Sequence, residues 1–256
     1  MFYKIFKATC FLCFYLFLIH QNLEATSNSA LSMTRVPTTE IDMNPSCTLL
    51  ITGSAKSGTM FIAELLKKSG HDINHEAYGK DGCASWAMAK NRYNAEKSIE
   101  TLDSFTHIFH QVRHPLSVIS SLVAGFTDFV SSYDAPLLST NSWLFILEHV
   151  PEINEIDSHT VIAAKYYYYW NLLAEKKAEW RYQIEIFNEI IPEFMARSGL
   201  TVDINQLSSI PTDCNTWLNG REKLTWSKLK KELPDDLYHK IQEMASRYDY
   251  IIKDLQ

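Results

Sequence analysis

Residues 48–70 read TLLITGSAKSGTMFIAELLKKSG and predict a strand, a glycine-containing loop and a helix in succession. Residues 49–51 (Leu-Leu-Ile) form a short apolar run, which is typical of a strand buried in a parallel sheet. From Phe61 onward apolar residues recur at helical spacing, and Gly70 ends the helix directly after two lysines. The stretch therefore predicts a β-loop-α unit.

The loop of this unit carries the donors that an anion requires. Backbone N–H groups at a helix N-terminus point outward and carry partial positive charge, so an anion fits there. Lys56 adds a full positive charge, and Ser57 and Thr59 add hydroxyl donors. The predicted anion site comprises Lys56, Ser57, Gly58, Thr59, Met60 and Phe61.

The order of residues in the loop differs from that of a Walker loop, in which Gly-Lys-Ser/Thr follows four residues after the first glycine. Here the lysine comes first, in the tetrapeptide Lys-Ser-Gly-Thr at 56–59, three residues after Gly53. This order resembles the 5′-phosphosulfate loop of sulfotransferases that use 3′-phosphoadenosine 5′-phosphosulfate (PAPS). The alternative is a strand–turn–helix in which the glycine and serine serve only the turn.

A second segment resembles the same family. Residues 105–113 (FTHIFHQVR) predict a strand, and Pro115 then lies near the start of a helix. Sulfotransferases carry a strand that ends in arginine, then x-Pro, and a serine eight residues after the arginine, which Arg113 and Ser121 match. The resemblance implies that both bind the 3′-phosphate, for which the arginine fork is well suited. His114 departs from the Asp or Asn that is frequent in the family.

A third segment supplies a candidate base. Residues 71–76 (HDINHE) predict a strand, followed by a loop around residues 79–82 and helical structure from Ser85. Ligands of open parallel sheets lie at the carboxyl ends of strands. We therefore expect His75 and Glu76 beside the loop at residues 53–59, which we call the phosphate loop. His-Glu, then Gly-x-Asp-Gly and Ser-Trp, resembles a sulfotransferase branch with bacterial members and relatives of carbohydrate sulfotransferases. The resemblance implies that Glu76 is the general base, helped by His75. The alternative for Glu76 is a solvated loop carboxylate.

The rest of the chain completes an α/β pattern. We expect a short helix at 143–150, a long helix at 159–180 and a strand at 180–187, followed by helices to the C-terminus. The aromatic run at 166–170 (YYYYW) predicts core packing within the long helix. In sulfotransferases a late basic loop closes over the cofactor, and the resemblance gives Arg221 and Lys223 as the candidates, with surface charge as the alternative. The sequence thus predicts one α/β domain at 47–256, with a mainly parallel sheet flanked by helices and a P-loop-like start.

The N-terminal residues predict targeting rather than fold. Residues 1–25 combine two lysines with a mostly apolar stretch, as in a secretory signal peptide or a short signal anchor through residues 2–19. Residues 26–46 are rich in Ser, Thr, Asn and Pro and predict a flexible stem. A secretory signal combined with PAPS motifs implies the Golgi lumen, with the protein either anchored or released.

Composition narrows the range of functions. The 256 residues are 46% apolar and 21% charged, which is ordinary for a globular chain, and the net charge of −6 gives no global attraction for nucleic acid. The resemblance implies an enzyme that moves a sulfuryl group from PAPS to a hydroxyl or amine of an acceptor, with a glycan favoured and no metal required. The alternatives are an ATP-dependent P-loop kinase and a secreted, non-catalytic nucleotide-binding relative.

Overall fold

The computed structural model describes residues 47–90, 92–93, 97–98, 105–131, 140–154, 156–210 and 224–253. The predicted signal or anchor, the predicted stem, Arg221 and Lys223 lie outside the described residues. Within the described ranges, none of the helices combines the length and the apolar character that crossing a membrane requires.

A five-stranded parallel sheet forms the centre of the domain and confirms the predicted α/β class. Its strands are β1 (Cys47–Thr52), β2 (Ile73–His75), β3 (Gly82–Ala84), β6 (Phe105–Val112) and β7 (Trp180–Gln183). Two further strands, β4 (Arg92–Tyr93) and β5 (Lys97–Ser98), form a separate antiparallel pair. The order in the main sheet is β2-β3-β1-β6-β7, and every neighbouring pair is parallel.

The position of β1 in the sheet determines where a ligand would bind. β1 pairs with β3 on one side and β6 on the other, so Leu50 lies opposite both Cys83 and Ile108. The chain leaves β1 towards β2 and β3, and later crosses to the other side of β1 to form β6 and β7. The strand order therefore reverses at β1, and the crevice at the carboxyl end of such a strand is where open α/β sheets bind their ligands.

One short strand of the sheet is not predicted from the sequence. The sequence predicts a loop around residues 79–82, whereas residues 82–84 form β3 and lie between β1 and β2. Three residues are too few to show a periodic pattern, and Gly82 is a poor strand former on its own. Gly82 fits because a Cβ atom there would lie 2.0 Å from the carbonyl oxygen of Leu49, so the close approach of β1 requires glycine.

Helices pack on both faces of the sheet in the described ranges. They are α1 (Thr59–Lys68), α2 (Pro115–Ser131), α3 (Thr140–His149), α4 (His159–Glu175), α5 (Phe187–Ser198), α6 (Trp226–Glu232) and α7 (Asp235–Arg247). Side chains of α1 and α5 share one core cluster with Leu49 and Phe109 of the sheet. The remaining helices share a second cluster on the other face. The predicted strand at 180–187 ends earlier, at Gln183, because a 3-10 turn leads directly into α5.

The aromatic run lies in α4, as predicted. Tyr166, Tyr167 and Trp170 are buried, while Tyr168 and Tyr169 are half-buried. α4 ends at Glu175, five residues before the predicted boundary at Trp180. The buried rings turn α4 into a central element of the core, and their polar atoms reach the loops at the carboxyl edge of the sheet.

Candidate functional site

The loop after β1 leads into α1, whose N-cap residue is Gly58 and therefore provides no side chain to cap the helix. The first N–H groups of a helix have no partner inside the helix. An anion placed at this end of α1 would satisfy them and would also meet the positive end of the helix dipole.

Two glycines allow the loop to lie close to its neighbours, because they have no side chain. A Cβ atom on Gly53 would lie 2.2 Å from the carbonyl oxygen of Gln111, so glycine alone fits beside the end of β6. Gly58 has a φ of 97°, and a Cβ atom there would lie 3.2 Å from Cγ1 of Ile184. Both glycines therefore have a structural reason that is specific to this loop.

Two cationic residues lie close together at the loop, because Arg113 contacts the backbone of Lys56. Nη1 of Arg113, which follows β6, donates to the carbonyl oxygen of Lys56 over 3.2 Å. Burial and then the charge of Arg113 lower the pKa of Lys56. Lys56 also has a φ of 69°, a left-handed conformation that is uncommon for residues other than glycine. An anion between the two side chains would stabilise both charges and would favour the protonated lysine.

Buried hydroxyls line the end of β1 and the loop. Among the described residues, Oγ1 of Thr52 and the Oγ atoms of Ser54 and Ser57 are buried without a hydrogen-bond partner. Buried polar atoms are normally satisfied, and orphaned ones frequently mark a place where a ligand or water completes the bonding. The donor set of this loop therefore fits an oxyanion.

The carboxyl group of Glu76 lies in the loop that follows β2. Oγ of Ser85 donates to Oε2 over 2.5 Å, and the N–H of Trp86 donates to Oε1 over 3.1 Å. Burial raises the pKa of Glu76 to about 7, and these two hydrogen bonds partly offset the effect. The side chain keeps 22% of its surface exposed, so an acceptor can reach it. Glu76 also has a left-handed φ, of 50°.

His75 lies between the helix start and this carboxyl group. Its Nε2 atom is 3.2 Å from Oγ1 of Thr59 and 3.6 Å from Oε1 of Glu76. Burial, and then the charge of Lys56, lower the pKa of His75 to about 4. The ring is therefore neutral at pH 7, and it hydrogen-bonds with Thr59 and lies beside Glu76 as a polar group rather than as a cation.

The remaining predicted site residues, and Trp86 of the Ser-Trp pair, lie in packed surroundings. Ser121 is buried in α2, and its hydroxyl donates to the carbonyl oxygen of Ser117 over 2.8 Å, so it would have to rotate to donate to a phosphate. Met60 and Phe61 are half-buried in the first turn of α1, and Phe61 packs against the core on that face of the sheet. Trp86 packs against core rings, with ring centroids 5.2 Å from Trp170.

Several residues that contact the site were not predicted from the sequence. Gln111 and Tyr166 bind the backbone of the phosphate loop from sequence positions more than 50 residues away, and no local pattern signals such contacts. Ser85 belongs to the Ser-Trp pair on which the resemblance rests, but the resemblance assigns no role to it. Glu185 accepts from the N–H of His114 over 2.8 Å and from the hydroxyl of Tyr250 over 2.8 Å, which fixes the turn after Arg113.

Comparison with known proteins finds no matching family model and no similar curated protein. The function is therefore inferred from the geometry of the site and from the motifs themselves.

Proposed function

We propose that this chain is a PAPS-dependent sulfotransferase that acts on a hydroxyl or amine acceptor. One observation carries the proposal: Arg113 contacts the backbone of Lys56 in the loop before α1, and Glu76, a carboxyl group with a pKa of about 7, lies across His75 from the start of that helix. An anion site beside a base is the arrangement that transfer of a sulfuryl group to a protonated acceptor requires.

The phosphate loop would hold the 5′-phosphosulfate. The N–H groups at the start of α1, the charge of Lys56 and the buried hydroxyl of Ser57 are the donors that suit it. Arg113 would hold the 3′-phosphate, with Ser121 as a further donor after rotation of its hydroxyl. PAPS supplies an activated sulfuryl group when bound.

Lys56 and Glu76 would act on opposite sides of the transferred group. The ammonium group of Lys56 stabilises negative charge that develops on the leaving phosphate, and such electrostatic stabilisation commonly contributes more to catalysis than any other single effect. Glu76 accepts the proton of the acceptor hydroxyl. Its pKa of about 7 suits this role, because a general base works best when its pKa lies near the working pH.

The acceptor and the cellular location extend the proposal beyond the site. A glycan is the favoured acceptor, because the His-Glu and Ser-Trp segments resemble the branch that includes relatives of carbohydrate sulfotransferases. Residues 1–25 would direct the chain to the Golgi lumen, either as an anchor through residues 2–19 or as a cleaved signal.

Turnover with and without the base tests the proposal. The full chain is incubated with PAPS and a panel of glycans, tyrosine peptides and small alcohols, and formation of 3′-phosphoadenosine 5′-phosphate (PAP) is measured. Glu76→Gln should lower kcat by about 10²–10⁴-fold while PAP binding is retained. Glu148→Gln, an exposed carboxyl on α3, serves as the control.

The pH profile adds a second readout. Because the base must be deprotonated, wild-type kcat should rise as pH increases through about 7. Unchanged turnover in Glu76→Gln would remove Glu76 from the mechanism, and a lack of PAP formation with every acceptor in the panel would count against the sulfotransferase assignment.

A further inference from the structure

Three successive residues of the phosphate loop are held by side chains from outside the loop. The N–H of Ala55 donates to Oη of Tyr166 over 3.0 Å. The carbonyl oxygen of Lys56 accepts from Arg113 over 3.2 Å, and that of Ser57 accepts from Nε2 of Gln111 over 2.8 Å. Tyr166 belongs to α4, Gln111 belongs to β6, and Arg113 directly follows β6. The loop is therefore held by a helix and by a neighbouring strand.

Tyr166 is the member of this set that lies deepest in the core. Its side chain is 1% exposed, and its ring stacks on Trp170 with centroids 5.2 Å apart. A second ring, that of Trp86, contacts it edge-on at 6.3 Å. The ring therefore cannot move without disturbing the core, and its hydroxyl is a fixed acceptor for the Ala55 amide. Burial is the main cause that raises the pKa of Tyr166, and the charge of Glu76 adds to it, so the phenol keeps its proton.

The same helix reaches the other two loops of the site. Oη of Tyr167 donates to the carbonyl oxygen of Arg113 over 3.4 Å, and Nε1 of Trp170 donates to the carbonyl oxygen of Trp86 over 2.9 Å. The N–H of Trp86 in turn donates to the carboxyl group of Glu76. Adjacent turns of α4 therefore contact the phosphate loop, the arginine turn and the segment after β3 that binds the carboxyl group of Glu76.

The loop needs such support because its conformation is unfavourable by itself. Lys56 has a left-handed φ of 69°, which is unfavourable for a residue with a side chain and persists only where neighbouring contacts impose it. The Ala55 amide directly precedes Lys56. Without an acceptor, this amide would be a partly buried donor with no partner, and the peptide could relax by turning away from the anion-binding shape.

We propose that Tyr166 is a positioning residue that holds the phosphate loop in its anion-binding conformation through the Ala55 amide. Through this contact, α4 sets the affinity of the site for the nucleotide that donates the sulfuryl group. The proposal rests on the proposed function for the identity of the donor, but not for the contact itself. Gln111 supports the same loop from β6, because the hydroxyl of Tyr182 donates to its Oε1 over 2.7 Å and orients its amide.

The substitution Tyr166→Phe tests this role, because it removes the hydroxyl and keeps the ring. We expect faster hydrogen exchange of the Ala55 amide and a loss of PAP affinity of about tenfold, which corresponds to about 1.4 kcal/mol. We expect KM for PAPS to rise by a similar factor, with a smaller change in kcat at saturating donor. Tyr238→Phe is the matched control, since it removes a hydroxyl that accepts from Gln242 on α7 in another part of the core.

Each outcome supports or overturns the proposal. Faster exchange at Ala55 together with weaker PAP binding in Tyr166→Phe, and neither change in Tyr238→Phe, supports it. Unchanged exchange at Ala55 overturns it, and so does an equal loss of affinity in both variants, which would indicate a general loss of stability. If wild-type protein does not bind PAP, the sulfotransferase assignment fails, and exchange at Ala55 still decides whether Tyr166 holds the loop.

Discussion

Two regions of this molecule contain ionisable groups whose pKa values are shifted from their ordinary values, and they differ in exposure and in backbone conformation. One is the group of loops at the carboxyl edge of the sheet, with Lys56, His75 and Glu76. The other is the interior around His110 on β6, whose pKa is also lowered to about 4. A displaced pKa is therefore shared by a candidate site and by a part of the core.

Exposure and backbone conformation separate the two regions. His110 is completely buried, its Nε2 lies 3.0 Å from Oδ1 of Asn171, and its ring packs edge-on against Tyr248. His75 and Glu76 keep 28% and 22% of their side-chain surfaces exposed, and Lys56 and Glu76 have left-handed backbones. Perturbed groups that a ligand can reach, on strained backbone, indicate function more strongly than perturbed groups alone.

The largest expected effect is a loss of stability at acid pH, and it comes from His110 in the interior. Burial, reinforced by the charges of Arg181 and Arg247, lowers the pKa of His110 from 6.5 to about 4 in the folded protein, against the opposing Asn171 bond and Glu175. The unfolded chain therefore binds the proton more readily between these values. Stability is full above pH 6.5 and falls as pH decreases to about 4, by about 3 kcal/mol for this group.

Urea unfolding of wild type and His110→Gln at pH 4.5 and pH 7.5 measures this loss as the difference between the two proteins, because Glu76 contributes with the opposite sign over the same range. Between pH 7.5 and pH 4.5 the variant should lose less stability, or gain more, than wild type, and PAP binding at pH 7.5 should not change because His110 lies in the interior. An unchanged pH dependence in the variant would show that His110 is not the group responsible. A loss of PAP binding would show that the interior and the site are not separate.

The contribution of Glu76 to stability should change with pH in the opposite direction to that of His110. Its pKa is raised in the folded protein, so the folded state binds the proton more tightly, and stability falls as pH rises from 4.5 to about 7. Glu76→Gln removes this penalty and should stabilise the protein at pH 8 by up to about 3 kcal/mol, with little gain at pH 4. A variant that is more stable yet inactive is typical of a functional residue.

Thermal unfolding of wild type and Glu76→Gln at both pH values checks this prediction. A destabilised variant at pH 8 would mean that the hydrogen bonds from Ser85 and Trp86 outweigh the cost of burying the charge. In that case Glu76 would belong with the structural carboxylates rather than with the candidate base.

The sequence predicts those elements of the fold that have a local pattern of their own and misses those that do not. The strand β1, the helix α1 and the aromatic run of α4 were predictable, because each has a local apolar pattern of its own. β3 was not, since three residues carry no period and its burial depends on its neighbours. The position of Glu76 beside the loop of Lys56 followed from the rule that ligands lie at the carboxyl ends of parallel strands, whereas the role of Arg113 was implied by the resemblance.

Long-range polar contacts account for what the sequence could not predict. The Ala55–Tyr166 bond joins residues 111 positions apart, and the Ser57–Gln111 bond joins residues 54 apart. A tyrosine within a run of tyrosines gives no sign of which hydroxyl faces the loop. The pKa values of His75 and His110 also depend on packing that only the folded chain creates.

The smallest expected effect compares two glycines with nearly the same φ. Gly58 (φ 97°) lies against Ile184 and Gln111, whereas Gly70 (φ 95°) has nothing within 4 Å of a Cβ atom. Both alanine variants should lose about 1 kcal/mol from the left-handed backbone. Gly58→Ala should lose more and should also weaken PAP binding, because it displaces the Gln111 amide. Equal losses in urea unfolding would show that the loop is not closely packed.

The central claim is that the loops at the carboxyl edge bind a PAPS-type nucleotide, and thermal unfolding of the full chain tests it most directly. Wild type, Lys56→Ala and the control Lys67→Ala, an exposed lysine on α1, are each unfolded with PAP, with ATP and Mg²⁺, and without ligand. At 100 times its dissociation constant, PAP should stabilise wild type and Lys67→Ala by about 2.7 kcal/mol and Lys56→Ala not at all. Stabilisation by ATP and Mg²⁺ but not by PAP would favour a kinase, and stabilisation by neither would contradict the nucleotide site.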